Sequence, residues 1–206
     1  YRESCRSGTD WLLQRMKPDG SPGSAAERLY YYRVPWALVL MGEVSAASRV
    51  LDWVSQNMFS RDGAFEGVSP QGVFESRYGS YPLACLIVGA AMLERHDLVY
   101  RGTRSLLTWQ DPVSGGFYHD YHERTPTGEQ EIFPTSQGGM SLLVGGHRDD
   151  ARKAGEWLKR LWELQPDVGN RLYAVYSPHV GLVTDYPPDQ EALYVTKKDE
   201  PWQHHF

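Results

Sequence analysis

Pro35, Pro82, Pro134 and Pro201 recur along the chain in phase with Gly20, Gly63, Gly115–Gly116 and Gly169, and two kinds of apolar segment alternate between them. After Pro35 and Pro82 the chain is apolar on every side, as in WALVLMG (36–42) and LACLIVGAAML (83–93), and a small-residue apolar segment follows Pro134 to Gly146. Helices of this composition are buried all round. Ahead of the later glycine markers lie one-sided segments, 44–58, 97–109 and 149–164, in which apolar residues at helical spacing share the sequence with charges. That is the pattern of a helix with one wet face. Proline suits a first helical turn, whose N–H groups have no intrahelical partner, and glycine suits a tight turn. A helical pair repeated about every 50 residues must stack on its neighbours to bury its faces. The alternation therefore predicts inner helices walled in by outer ones.

The rest of the chain fits around these pairs. Residues 3–16 read as a helix stopped by Lys17-Pro18-Asp19-Gly20, and 21–27 as a polar link. Between Gly115 and the apolar segment after Pro134 runs a loop dense in ionisable groups: His119, Asp120, His122, Glu123 and Glu129. Loops this long in a compact domain are usually functional or disordered. Residues 171–196 hold Val175, Tyr176, Val180, Leu182 and Val183 among prolines and glycines, which predicts a short β-hairpin near 172–196.

Totals narrow the classes. The 206 residues suffice for one sizeable core, so 1–206 reads as a single domain. A net charge of −5 gives no basic surface for nucleic acid or anionic membrane. No run of 18 apolar residues predicts a membrane span. Cys5 and Cys85 form no CxxC pair, which argues against a disulfide framework or a cysteine-held zinc. No signal-peptide pattern opens the sequence, which favours the cytoplasm and leaves secretion as the alternative. The 13 Tyr, 7 Trp and 6 Phe are a heavy aromatic load of the kind that lines small-molecule pockets.

Trp11-Leu-Leu-Gln14…Asp19-Gly20, Trp53-Val-Ser-Gln56…Asp62-Gly63-Ala-Phe65 and Trp109-Gln110…Gly115-Gly116-Phe117 resemble the repeats of α/α-toroid proteins. The terpenoid cyclase and protein prenyltransferase superfamily is the nearest resemblance. The six-hairpin sugar enzymes, such as N-acylglucosamine 2-epimerase, share the GGF-loop-helix rhythm. The resemblance implies an all-α fold, a toroid of helical hairpins with its pocket at the end where the inner helices begin. Neither the DxDD acid motif of class II terpenoid cyclases nor the zinc sets of prenyltransferases and lanthipeptide cyclases occurs here.

Helix N-termini converging at that end favour an anion or a developing negative charge. The residues beside the marker prolines would line its rim: Arg33, Tyr32 and Trp36; Tyr78 and Tyr81; Glu131, Phe133 and Gln137; Trp202, His204 and His205. Of these, Tyr32, Arg33, Trp36, Tyr78, Tyr81, Gln137, Trp202, His204 and His205 are the expected substrate contacts. An imidazole beside a carboxylate works as an acid or base near neutral pH, which nominates His119, Asp120 and His122, with Asp185 opposite them. Asp189 and Glu191 share the proline-rich loop of Asp185. His119, His122 and His204 or His205 are a weaker metal alternative, so no metal is assigned.

These features predict a cofactor-independent enzyme carrying out cyclisation, isomerisation or elimination on a largely apolar small molecule. One alternative is a sugar epimerase or glycosidase on the same architecture, and another is a helical-repeat module that binds a peptide or protein. Three inner–outer pairs and the start of a fourth at Pro201 fall short of the five or six that the resemblance implies for a closed ring. Further polypeptide, or a second copy of the chain, is expected to cover the open flanks.

Overall fold

The structure, a computed structural model, describes residues 2–23, 31–65 and 79–198. Tyr78, Trp202, His204, His205 and the helix start expected at Pro201 lie outside the described residues.

Three helical hairpins follow one another: α2 (Val34–Leu40) with α3 (Val44–Asn57), α4 (Ser80–Met92) with α5 (His96–Leu107), and α6 (Ile132–Val144) with α7 (Arg148–Glu163). The first member of each pair joins an inner row, α2 against α4 and α4 against α6, and the second lies outside its own partner. The helix α1 (Arg2–Arg15) precedes them and packs through Leu12, Leu13 and, just past its end, Met16. Trp11 stays half-exposed under the guanidinium of Arg15, 4.1 Å away. Pro35, Pro82 and Pro134 each sit within the first turn of their helix, where no hydrogen bond is lost.

The repeat is stricter in the structure than in the sequence. Inner helices end at Gly42, Glu94 and Gly146, all in the left-handed region and each 52 residues from the last. In every case the next amide reaches five residues back, Glu43 N to Leu38 O, Arg95 N to Ala90 O and His147 N to Leu142 O, each at 2.9 Å. That is the Schellman closure of a helix C-terminus. Gly20, Gly63 and Gly115, at φ between +86° and +90°, lie against the carbonyl groups of Arg49, Arg101 and Lys153 of the next outer helix. No side chain fits between, so each hairpin is clasped by the turn before it. Gly169, expected as the fourth marker, has no such role: it is exposed and not in the left-handed region.

Inner helices were expected to be the better buried, and α4 is. From Ser80 to Ala90 all its residues except Tyr81 are buried. The helices α2 and α6 depart from the expectation, leaving Leu40 64% and Leu143 58% exposed. The reason is positional: α4 has an inner neighbour on each side, whereas α2 and α6 each have one among the described residues.

The fold is predominantly helical but not all-α. The antiparallel strands β1 (Gln130–Glu131), β3 (Val175–Ser177) and β4 (Gly181–Leu182) form one sheet in the order β1-β3-β4, and β2 (Arg171–Tyr173) pairs with β5 (Val195–Lys197) in another. The hairpin expected near 172–196 is β3–β4, while β2 and β5 close a wider loop around it. Glu191 lies not in a proline-rich loop but in a short helix, α8 (Pro188–Tyr194), which Pro188 opens. Gln165 stitches this region to α7: its side-chain amide donates to Leu161 O and Tyr173 O and accepts from Tyr173 N. None of the described helices is long and apolar enough to cross a membrane.

Candidate functional site

The outer helices run back against the inner ones, so the ends of α3 and α5 meet the start of α4 at one end of the fold. A cleft of about 1000 Å³ opens there, lined by Ser60, Asp62 and Phe65 after α3, by Gly79 and Leu83 of α4, by Arg104, Thr108 and Trp109 of α5, and by Tyr121, His122 and Arg124. The resemblance implies a pocket where the inner helices begin; the cleft touches the start of α4 but not those of α2 and α6.

The ionisable loop reaches the cleft because its base is tied. Residues 117–119 pair with 129–131 through Glu131 N to Phe117 O and His119 N to Glu129 O, and Tyr118 N bonds back to Trp109 O. Gly116 and Gly138 leave room for this: a Cβ on Gly116 would strike Gln130 and Trp157, and one on Gly138 would strike the Phe117 ring. Asp111 holds the turn before it, accepting from Val113 N, Ser114 N and the Tyr118 hydroxyl at 2.6–2.8 Å. Burial pushes the Asp111 carboxyl up, but these hydrogen bonds outweigh it and hold its pKa below the ordinary value. At the tip, Arg124 lies over Trp109 and Tyr121, 4.8 and 4.3 Å from their centroids, and donates to Thr108 Oγ1 and Tyr121 O. The stack fixes the guanidinium and with it the loop's position on α5. Across the cleft, the Ser60 hydroxyl donates to Asp62 and keeps that carboxylate's pKa low.

The expected acid/base residues divide. His122 borders the cleft, its ring edge-on to Tyr121 at 5.4 Å. Asp120 is engaged locally, accepting His122 N at 2.8 Å. His119 turns inward, 7% exposed, with Nε2 3.9 Å from a Glu129 oxygen and its ring stacked on Tyr194. Tyr194 stacks in turn on Tyr186, and Glu131, fully buried, sits at the start of α6. Burial, reinforced by Glu129 and Glu131, raises the pKa of the Tyr186 phenol. Asp185 is exposed on the chain next to Tyr186 and does not line the cleft.

Among the expected substrate contacts, Arg33 donates to the Tyr81 hydroxyl at 2.6 Å and stands 5.4 Å from the centroids of both Tyr32 and Tyr81. Trp36 and Gln137 are half-buried on α2 and α6. None of these five lines the cleft. Tyr81 is about 200° around α4 from Gly79 and Leu83, so it faces away from it. Among the described residues no three His, Cys, Asp or Glu side chains are grouped to hold a metal ion.

Sequence reasoning missed Arg124, Arg104, Trp109, Tyr121 and Asp62 as site residues. Trp109 and Asp62 were legible as repeat markers, and Arg124 and Tyr121 sat within the loop singled out for its histidines. No family model matches the chain, and no curated protein or solved structure matches it either.

Proposed function

We propose that the chain belongs to an α/α-toroid enzyme, cytoplasmic and cofactor-independent, that uses acid/base chemistry on a small polar, ring-bearing substrate of the carbohydrate class. The lining of the cleft carries this reading. Tyr121 offers an exposed aromatic surface beside Arg104, Arg124, His122 and Asp62. A wholly apolar substrate would strip water from these charges without replacing its hydrogen bonds, at a cost of several kcal/mol. A hydroxylated ring supplies them, and its C–H faces suit aromatic walls. In this reading His122 transfers the proton, Asp62 accepts substrate hydroxyls as a carboxylate, and Arg124 steadies a developing oxyanion. His119 and Glu129 brace the loop from behind.

An apolar substrate is the second reading. It is favoured by Leu40, Met92 and Val144, which occupy the same repeat position on three inner helices and are all exposed. Further hairpins or a second copy of the chain, covering that row, would suit it equally.

Incubating the protein with aldoses, N-acylhexosamines and aryl glycosides in D2O separates these readings. NMR would report deuterium uptake next to the sugar carbonyl, and absorbance would report aryl release. Turnover in one class is expected, falling about 10²-fold or more in His122→Ala with little change in thermal stability. No turnover and no sugar-induced change in tryptophan fluorescence would overturn the carbohydrate reading.

A further inference from the structure

Arg33, Cys85 and Gln137 occupy one position of the 52-residue repeat, on neighbouring inner helices. The level is fixed by Ser141, whose hydroxyl donates to Ala84 O at 2.8 Å across α4 and α6. One helical turn back, at the start of the two helices, Gln137 comes beside Ser80 and Tyr81. The polar groups gathered here are donors without a negative acceptor: Arg33 and Tyr81 meet the buried Cys85 thiol, which stays neutral because burial pushes its pKa up to about 12. No carboxylate of the described residues lies within ion-pair distance of Arg33, although its charge is permanent and its side chain is half-buried. The Tyr81 oxygen accepts one guanidinium N–H, and its own proton is directed at the Cys85 sulfur. The side-chain amide nitrogen of Gln137 and the hydroxyl of Ser80 are buried without a hydrogen-bond partner.

We propose that Arg33, Tyr81 and Gln137 form a binding site for the carboxylate of a small organic acid, on the side of α4 away from the cleft. The two tyrosine rings hold the guanidinium and offset part of its desolvation. What they do not supply is a negative acceptor, and a planar carboxylate matches the guanidinium fork with two parallel hydrogen bonds. Gln137 adds a donor, and the Tyr81 hydroxyl turns from the weak sulfur acceptor to the carboxylate. A neutral or cationic ligand would leave these donors unsatisfied, so the site discriminates by charge. It does not depend on the carbohydrate reading of the cleft.

Benzoate and benzamide have nearly the same shape and differ in charge, and their binding to the whole chain can be compared by saturation-transfer NMR. Benzoate is expected to bind at least about tenfold more tightly. Arg33→Gln should abolish that preference, and Tyr81→Phe should weaken benzoate several-fold. Circular dichroism checks that each variant folds. Arg33→Lys, which keeps the charge but not the planar fork, serves as the second variant and should retain less than about a tenth of the benzoate affinity. Equal binding of acid and amide, no binding of either, or a preference that survives in Arg33→Gln would overturn the proposal, as would full benzoate affinity in Arg33→Lys.

Discussion

At Gly63 an added methyl group would overlap the carbonyl of Arg101, in a backbone already at φ +88°. At Gly42 the angle is much the same, +84°, but nothing lies within 4 Å. The pair separates conformational cost from steric cost. Gly42→Ala is expected to lose about 1 kcal/mol, the left-handed penalty alone, and Gly63→Ala at least about 2–3 kcal/mol, since backbone must move as well. Urea unfolding of the two variants measures both, and equal losses would mean that the clasp is loose. Glu94 is the converse case, the one non-glycine residue among the described ones with positive φ, at 56°. The sequence hid this turn because the residue type contradicts the geometry, and only the 52-residue register exposes it. Glu94→Gly should stabilise the protein by about 0.5–1 kcal/mol. Asp111 brings in pH. Its lowered pKa places its stabilising contribution above the unfolded value of ~3.9, and that contribution fades as pH falls through this value toward the folded pKa. Asp111→Asn is therefore expected to cost about 1.5–3 kcal/mol at pH 7, with the gap from the parent narrowing below pH ~4. A gap independent of pH would show that packing, not charge, holds the turn.

Between elements, the contacts of α6 are set by small residues. Gly138 faces Phe117, whose ring atoms would lie 2.5–2.9 Å from an added Cβ, in ordinary helical backbone. Helix propensity alone favours Gly138→Ala by about 1 kcal/mol, while overpacking costs about 1–3 kcal/mol. The expected sum is a net loss accompanied by displacement of the loop that Phe117 anchors. A stabilised variant would show that the ring yields freely. Hydrophobic period located α3, α5 and α7 to within two residues at each end because their apolar stripe is strong. It misjudged α2, seven residues long, whose apolar run continues into an exposed turn at Met41. It also missed α8 and the β2–β5 pairing, since strands of three residues carry no period to read.

For the molecule as a whole, the two-layer packing orders local stability. Among the described helices only α4 has helices on both sides and behind, so its amides from Leu83 to Ala90 should exchange slowest with solvent. Those of α1, where Thr9 is the one buried residue, should be the fastest among the helices. Mass-spectrometric hydrogen exchange tests the order, and equal protection of α1 and α4 would contradict it. At this scale the cleft adjoins the start of α4, yet it draws no residue from α2 or α6, where the sequence pattern put most of the rim. Its composition was not legible, because Arg124 and Trp109 meet only when a loop folds back onto the outer layer. The clasps have a direction: each glycine turn grips the outer helix that comes after it, never the one before. During synthesis, then, each clasp leaves the ribosome ahead of the helix it grips, so a hairpin latches as its own outer helix emerges and waits for nothing that follows it.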